Sequence, residues 1–551
     1  MNDLRIRSGN ETVICPFGAS ADSLFSRLNF DEKTTIAVKI NNEIYPIKTS
    51  ITVNSAVEPV SLNSPEGVMI YRRSLAFLLA LAVQKRFPGR GLYIGHSLGN
   101  SYYYTTNSGD PLIKQDVDVL QKEMESLVRE NLSITFKYLA YDEALELFTK
   151  NGQRDTVLLL NQRSTSRIRV NECNGFLDLY VEPLVPNTGY LSSFELMHYQ
   201  EGLLLRFPSV SRNKKIGIFE DQPALFDVYN EYKKWGRMVG VRVVGDLNSL
   251  VANRTIRDYI RIAEAHQARK LADIAEKIYE EKDRIKMVLL AGPSSSGKTT
   301  SAKRLSIELM VLGIKPLAIS LDDFYVGADR TPKDEKGEPD YECLEALDIS
   351  LLNELLQDLY RGKEISLPVY DFKTGSRSRS GGRAICLDQN MVLIVEGIHA
   401  LNDALTPSIE RNTKFKLYVS ALTQLNLDDH NRIPTSDNRL LRRMVRDYQF
   451  RAKDAAATIK MWPNVQKGER KHIFPFQNTA DAAFNSALDY ELSVLKYLAD
   501  PLLRAVKPSQ REYAEASRLL SFLSNFAPIS PHYVPGTSIL REFIGDSEFK
   551  Y

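Results

Sequence analysis

Apolar and polar positions alternate with two different periods along this chain, and the change of period divides it. In the opening sixty residues the period is two. "LRIRSG" and "ETVICPF" read as strands around a Ser8-Gly9-Asn10 turn, and "TIAVKINNEIYPI" reads as a hairpin about Asn41-Asn42. "SADSLFSRL" is expected to be a short helix capped by serine or aspartate. Residues 1–62 thus form a small α+β unit. A second unit, residues 63–215, opens with the helix "GVMIYRRSLAFLLALAVQKRF", stopped by Pro88-Gly89. A strand and turn follow through "GLYIGHSLGNSYYYTT", then a polar-faced helix from about Ile113 to Glu130. Residues 216–284 are helical and charged, as in "QARKLADIAEKIYEEKDRI", and are expected to be a packed connector. From residue 285 the strand-like runs "KMVLLA", "PLAISLD", "MVLIVEG" and "FKLYVSA" alternate with helical stretches. That alternation predicts an α/β fold with a parallel sheet flanked by helices, preceded by two smaller α+β domains. Residues 501–551 read as a proline-containing tail with no evident chemistry.

Composition changes this picture little. Of 551 residues, 43% are hydrophobic and 25% charged, and the net charge is +2, so the chain as a whole has no strong pull toward nucleic acid or an anionic membrane. The four cysteines, Cys15, Cys173, Cys343 and Cys386, are dispersed and form no CxxC, which argues against zinc knuckles and disulfide frameworks. The start, Met1-Asn2-Asp3-Leu4-Arg5, lacks a signal-type apolar core, and Leu75 to Val83 is too short to span a bilayer. A cytoplasmic protein without membrane contact is expected.

The chemistry concentrates after residue 287. Gly292-Pro293-Ser294-Ser295-Ser296-Gly297-Lys298-Thr299 matches GxxxxGK[ST] in full, between an apolar strand and an amphipathic helix that begins with "TTSAKRL" at Thr299-Thr300. In such a loop main-chain N–H groups surround a β-phosphate, the lysine reaches β/γ oxygens and the following hydroxyl ligates Mg²⁺, so ATP and Mg²⁺ are the expected cofactors. "PLAISLDDFY" places Asp322 and Asp323 at the carboxyl end of the next strand, where a carboxylate can take a proton from a hydroxyl or hold the metal. "VLIVEGIHAL" adds Glu396 after another apolar strand, suited to a Mg²⁺ contact. "RLLRRMVRDYQFRAK" packs Arg439, Arg442, Arg443, Arg446, Arg451 and Lys453 into fifteen residues. On a helix, Arg439, Arg443 and Arg446 share a face, as a solvated surface or as a cationic lid over transferring phosphates.

These motifs, in this order, resemble the uridine kinase family of the uridine kinase and phosphoribulokinase group over roughly residues 285–495. "GPSSSGKTT", "ISLDDFY", "LPVYDFKTGSR", "VLIVEGI" and "LLRRMVRD" carry the likeness. The resemblance implies ATP-dependent phosphorylation of the 5′-hydroxyl of a pyrimidine ribonucleoside. It implies that Asp322 is the general base and a metal contact, that Lys298 is catalytic, and that Thr299 and Glu396 stand on the magnesium side. By the same likeness Gly292 to Thr300 hold ATP with the lid arginines Arg443, Arg446 and Arg451, and Tyr325, Glu342, Tyr370, Arg377, Arg443 and Arg446 bind the nucleoside. Two positions depart from the pattern. "YECLEA" puts Glu342 and Cys343 where the family has an aspartate for the ribose hydroxyls and a histidine, and Gly375 stands where uracil- and cytosine-reading relatives carry histidine. The base preference, and even a non-nucleoside alcohol acceptor, stay open.

Residues 1–62 resemble the TGS domain of threonyl-tRNA synthetases, and 63–215 the editing domain that follows it, through "SPEGVMIYRRSLAFLLALAVQKRFPG", "LYIGHSLGNSYYY" and "VEPLVPNTGYL". The editing family has a histidine pair on the first helix and a later cysteine and histidine. Here those positions are Arg73, Phe77, Tyr180 and Leu184, which neither bind zinc nor activate water. His96 and His198 read as packed or surface histidines. This half is expected to bind RNA, sense a ligand or brace the kinase. A contrasting expectation is an RNA-binding regulator whose ATP site is a switch.

Overall fold

The structure, a computed structural model, describes residues 3–106, 110–163, 165–180, 182–209, 215–327, 329–333, 337, 339–371, 374–378, 382–388 and 390–550. The first unit is one sheet of β1 (Leu4–Ser8), β2 (Glu11–Cys15), β3 (Thr35–Ile40), β4 (Glu43–Pro46) and β5 (Ser55–Ser61), in the order β2-β1-β5-β3-β4. Asn41 and Asn42 both adopt positive φ, the turn conformation that matches strand twist in a two-residue hairpin. The expected short helix is instead two 3-10 turns, Ala21–Leu24 and Ser26–Leu28. The Ser20 hydroxyl is turned to the Asp22 carboxylate and caps no backbone N–H, so an α-helical start is not secured.

The second unit contains α1 (Pro65–Arg86), β6 (Leu92–Ser97), β7 (Ser101–Thr106), α2 (Lys114–Arg129), β8 (Thr135–Ala140), α3 (Tyr141–Lys150), α4 (Arg154–Leu160), β9 (Arg167–Cys173), β10 (Phe176–Asp178), β11 (Glu195–Tyr199) and β12 (Gly202–Arg206). They build a four-stranded antiparallel sheet, β11-β12-β7-β6, and a three-stranded one, β10-β9-β8. α1 begins where the Ser64 hydroxyl accepts from Gly67 N–H at 3.0 Å, with proline in its first turn.

Three helices follow, α5 (Pro223–Val239), α6 (Val244–Ala252) and α7 (Ile256–Glu280). The remaining elements are β13 (Met287–Ala291), α8 (Lys298–Val311), β14 (Lys315–Ser320), α9 (Ile349–Tyr360), β15 (Ile365–Ser366), β16 (Val369–Asp371), β17 (Ser376–Ser378), β18 (Ala384–Ile385), β19 (Met391–Glu396), β20 (Lys414–Ser420), α10 (Thr435–Phe450), α11 (Ala455–His472), β21 (Ala482–Asn485), α12 (Glu491–Ala505), α13 (Tyr513–Leu523) and α14 (Arg541–Ile544). A five-stranded, all-parallel sheet runs β14-β19-β13-β20-β21. Along β13, Val288 and Leu290 enter one core while Met287, Leu289 and Ala291 enter the other, so both faces are covered. This is the α/β architecture that the sequence pattern predicts.

Two expected boundaries do not survive. The stretch 216–284 is no separate connector, because Val244, Tyr259, Leu271 and Ile278 belong to the same core as Val288 and Leu305. The boundary at 500 falls inside α12, and Leu519, Ile539, Leu540 and Phe543 of the supposed tail are fully buried in that core. The tail completes the half that carries the parallel sheet because apolar residues spaced along it fill the face of that sheet that α8 and α10 share.

Charge links these layers. Arg442 on α10 and Glu491 on α12 are 0% and 1% exposed and meet at 2.5 and 3.1 Å. Arg442 also donates to the Ser486 carbonyl at 2.9 Å. The loop Leu425–Arg432 after β20 enters the second unit. There His430 Nδ1 meets Asp178 at 2.7 Å, Asn431 donates to the Leu179 carbonyl at 2.8 Å, and Asp429 accepts from Thr156 N–H at 3.2 Å.

Arg442→Ala leaves the Glu491 charge buried and unmatched, and chemical denaturation is expected to show a loss of about 3–5 kcal/mol. The contact between the halves carries a pH signature. Burial lowers the His430 pKa, but Asp178, Asp429 and Asp428 outweigh it and raise it to about 9. Folding therefore gains stability from His430 that is complete below its ordinary pKa of about 6.5 and is lost as pH rises through the folded value. Thermal melts between pH 6 and 10 are expected to show that fall, and Asp178→Asn is expected to flatten it.

Candidate active site

β13 ends at Ala291 and α8 begins at Lys298, so Gly292 to Gly297 form the turn between them. Ser295 and Gly297 adopt φ of +58° and +81°, a left-handed geometry that turns main-chain N–H groups inward. An ion pair holds the loop by the backbone of one residue, Ser294. Glu469 on α11 accepts from Ser294 N–H at 3.0 Å, Arg439 donates to the Ser294 carbonyl at 3.1 Å, and the two side chains pair at 2.5 and 2.9 Å. Arg442 donates to the Ser295 carbonyl at 3.3 Å, and the Ser486 hydroxyl donates to the Ser296 carbonyl. Lys298 Nζ reaches the Pro293 carbonyl at 3.3 Å. Ser294, Ser295, Gly297, Lys298 and Thr299 line a cleft of about 1420 Å³, whereas Gly292, Pro293, Ser296 and Thr300 form the buried back of the loop.

The acids stand at the carboxyl ends of β14 and β19. Glu396 accepts from the Thr299 hydroxyl at 3.2 Å and the Ser320 hydroxyl at 3.0 Å. Asp322 follows β14 in a 3-10 turn and is exposed to the cleft. Its neighbour Asp323 is half-buried and accepts the Tyr370 backbone N–H. Burial, then the Asp322 charge, push Glu396 up to about 7 against the pull of Lys298 and Ser320. A buried carboxylate beside a second one and a hydroxyl is a donor set for a hard divalent cation, so Thr299, Asp322 and Glu396 fit Mg²⁺.

The cleft is also lined by Tyr325, Tyr341, Glu342, Tyr370 and Gly375. The Tyr325 ring lies 5.4 Å from Tyr370 and 5.9 Å from Tyr341. Burial, then the Glu469 charge, push Glu342 up to about 7 despite Arg443 and Lys298. Glu342 Oε2 is buried and has no hydrogen-bond partner among the described residues. α11 comes this close because residue 468 is glycine, where a Cβ would stand 2.5 Å from Glu342 Cβ. Arg377 is a correction to the expected substrate set. It is spent on Asp348, the N-cap of α9, at 2.8 Å and does not line the cleft. Phe372 and Lys373 of the same motif lie outside the described residues.

The arginine-rich segment forms a packed wall. Leu440, Leu441, Met444 and Val445 of α10 are buried, and the charges find acids within the fold. Arg443, Arg446 and Arg451 gather around the buried Asp447 at 3.2, 3.0 and 3.7 Å. All three line the cleft, and Arg443 donates to the Ser294 hydroxyl at 2.7 Å. Arg439, grouped by spacing with Arg443 and Arg446, holds the loop instead. Sequence reasoning missed Glu469 and also Glu542, whose carboxylate accepts from Thr300 N–H and hydroxyl at 3.1 and 2.7 Å. No local motif marks either acid.

In the first half, three of the four positions compared with the editing family pack into the core. Phe77 and Tyr180 are fully buried with rings 5.8 Å apart, and Leu184 is buried with them. Arg73 pairs with Glu182 and donates to the Pro183 carbonyl at 3.1 Å. Arg518 of α13 lies 3.9 Å from Glu182 and 2.7 Å from Asp437 in the first turn of α10. His96 meets the Ser97 carbonyl at 2.7 Å and His198 the Leu112 carbonyl at 2.8 Å. No helix among the described residues is long and apolar enough to cross a membrane.

Residues 287–493 match the model of the Phosphoribulokinase / Uridine kinase family. The N-terminal region is similar to threonine–tRNA ligases. That of Thermoplasma volcanium is 32% identical over 167 residues, 30% of this chain and 25% of that protein. That of Francisella tularensis subsp. novicida is 27% identical over 164 residues, 30% of this chain and 26% of that protein. The chain thus spans about a quarter of the length of these relatives. Among solved structures, a possible uridine kinase from Bacillus stearothermophilus is 21% identical, with 39% of this chain and 100% of that one covered at a TM-score of 0.27. The loop after β13, its acids and the family match together identify residues 287–493 as a P-loop kinase domain of the phosphoribulokinase / uridine kinase family, behind a region similar to threonyl-tRNA synthetase.

Proposed function

We propose that the protein transfers the γ-phosphate of ATP to the 5′-hydroxyl of a nucleoside, with uridine and cytidine as the leading acceptors. The observation that carries this reading is the composition of one cleft. A phosphate loop, a strand-end acid and a tyrosine-lined pocket with the unpartnered Glu342 Oε2 all open onto it. A nucleotide switch has no use for such a pocket. The tyrosine rings suit a flat base, and Glu342 Oε2 suits a ribose hydroxyl. Gly375 contributes no side chain to base recognition, so discrimination between bases falls to the remaining wall.

In the reaction, Asp322 takes the proton of the acceptor hydroxyl as that oxygen bonds to the γ-phosphorus. The bond to the β,γ-bridging oxygen breaks and ADP leaves. Lys298, Arg443, Arg446 and Arg451 neutralise the charge on the transferring group. Thr299, Asp322 and Glu396 would hold Mg²⁺, which would supply positive charge against the phosphate oxygens. The synthetase-like half neither edits nor charges tRNA in this reading. Phe77 and Tyr180 fill its former site, and Arg73 and Glu182 turn that site toward α10 through Arg518 as a brace.

Purified protein with Mg²⁺ and ATP is expected to form ADP in response to uridine or cytidine. Asp322→Asn is expected to lower kcat by about 10²–10⁴-fold, the usual contribution of a positioned base. ADP formed equally without any alcohol, and unchanged in Asp322→Asn, would show slow hydrolysis at a switch instead.

A further inference from the structure

The carboxyl-terminal segment delivers a charge to the phosphate-loop side of the cleft, through residues that its core packing fixes. Ile539, Leu540 and Phe543 are 0% exposed. The Arg541 guanidinium is tied to the carbonyls of Val534, Pro531 and Gly545 at 2.6, 3.0 and 3.3 Å. Ile539 packs directly on the loop, its Cγ2 standing 2.5 Å from where a Cβ on Gly297 would be. The Phe543 ring lies 4.9 Å from the buried Arg442 guanidinium. Lys303 on α8 donates to the Lys550 carbonyl at 2.7 Å, so the segment is held on both sides of residue 542.

From this anchored backbone the half-buried Glu542 side chain reaches the start of α8 and lines the cleft. Its Oε2 accepts from the Thr300 N–H at 3.1 Å and from the Thr300 hydroxyl at 2.7 Å. Thr300 lies in the first turn of α8, where N–H groups have no partner within the helix and the helix dipole favours an anion. A nucleotide seated in the loop presents its phosphates to that same helix start. One carboxylate and one phosphate cannot share these two donors, and their charges repel.

We propose that Glu542 is a built-in competitor for the nucleotide: its carboxylate occupies the Thr300 N–H and hydroxyl in the nucleotide-free chain and swings aside, on a backbone that stays docked, when ATP enters. The inference rests on the phosphate loop binding ATP and is independent of which alcohol accepts the phosphate. It makes the carboxyl-terminal segment both a wall of the nucleotide site and the device that sets its affinity.

The test titrates ATP with Mg²⁺ calorimetrically into the full chain, without acceptor. Glu542→Gln removes the competing charge with little change of shape and is expected to bind ATP about tenfold tighter, the scale of one charge-assisted hydrogen bond. Glu542→Asp keeps the charge but shortens its reach and is expected to tighten binding by a smaller factor. Unchanged or weaker binding in both variants overturns the proposal. A drop in Tm with unchanged affinity would then assign Glu542 to capping α8. Failure of the wild-type chain to bind ATP at all overturns the proposal together with the phosphate-loop reading, and the wild-type titration separates that case from the other.

Discussion

Water is almost absent around Arg439 and Glu469, which are 5% and 1% exposed, yet both are charged side chains. Removing two such charges from solvent costs several kcal/mol each, and bidentate geometry is what offsets that cost. Here the pair grips the N–H and the C=O of Ser294, one group from each of two successive peptide units, and the Trp462 ring lies 5.3 Å from the guanidinium. The direction of the loop's amides is thereby set before any phosphate arrives, which is the condition for electrostatic stabilisation without reorganisation. Much of the kinase half serves this constraint. α10 supplies Arg439 and Arg442, α11 supplies Glu469, and α12 supplies Glu491.

The parts of the fold that were legible in the sequence are local ones. A phosphate loop is eight consecutive residues, and a buried parallel strand shows as an unbroken apolar run such as "MVLLA". Glu396 and Asp322 were legible because each follows such a run at a strand's carboxyl end. Long-range pairing was not legible. Glu469 reaches Ser294 across 175 residues and Glu542 reaches Thr300 across 242, with no spacing rule connecting them. Arg439 and Arg442 of α10 could not be told from its other arginines because their acids, Glu469 and Glu491, lie on other helices. Arg377 carries the right motif but is paired with Asp348, 29 residues earlier in the chain, a contact that no spacing rule discloses.

The first half, similar to threonine–tRNA ligases, packs an aromatic interior behind a polar pair. Arg73, Phe77, Tyr180 and Leu184 are the four positions where the sequence resemblance implies the loss of a hydrolytic set. Two aromatic rings now fill the interior, and the remaining polar pair faces outward to Arg518. Arg518 is itself shared with Asp437 at the start of α10 and Glu515 on its own helix. The synthetase-like region is thus connected through one guanidinium to the helix that steadies the phosphate loop.

The distance along the chain between Thr300 and Glu542 has a consequence for biosynthesis. A nascent polypeptide emerges from the ribosome in order, and its domains tend to fold as they appear. Gly297 and Thr300 emerge long before Ile539 and Glu542, which pack against them. For that interval the loop lacks one of its walls, and the apolar groove that later receives Leu540 and Phe543 is uncovered. A ribosome stalled in this stretch would hold a chain with a complete GxxxxGK[ST] sequence but an unfinished cradle around it.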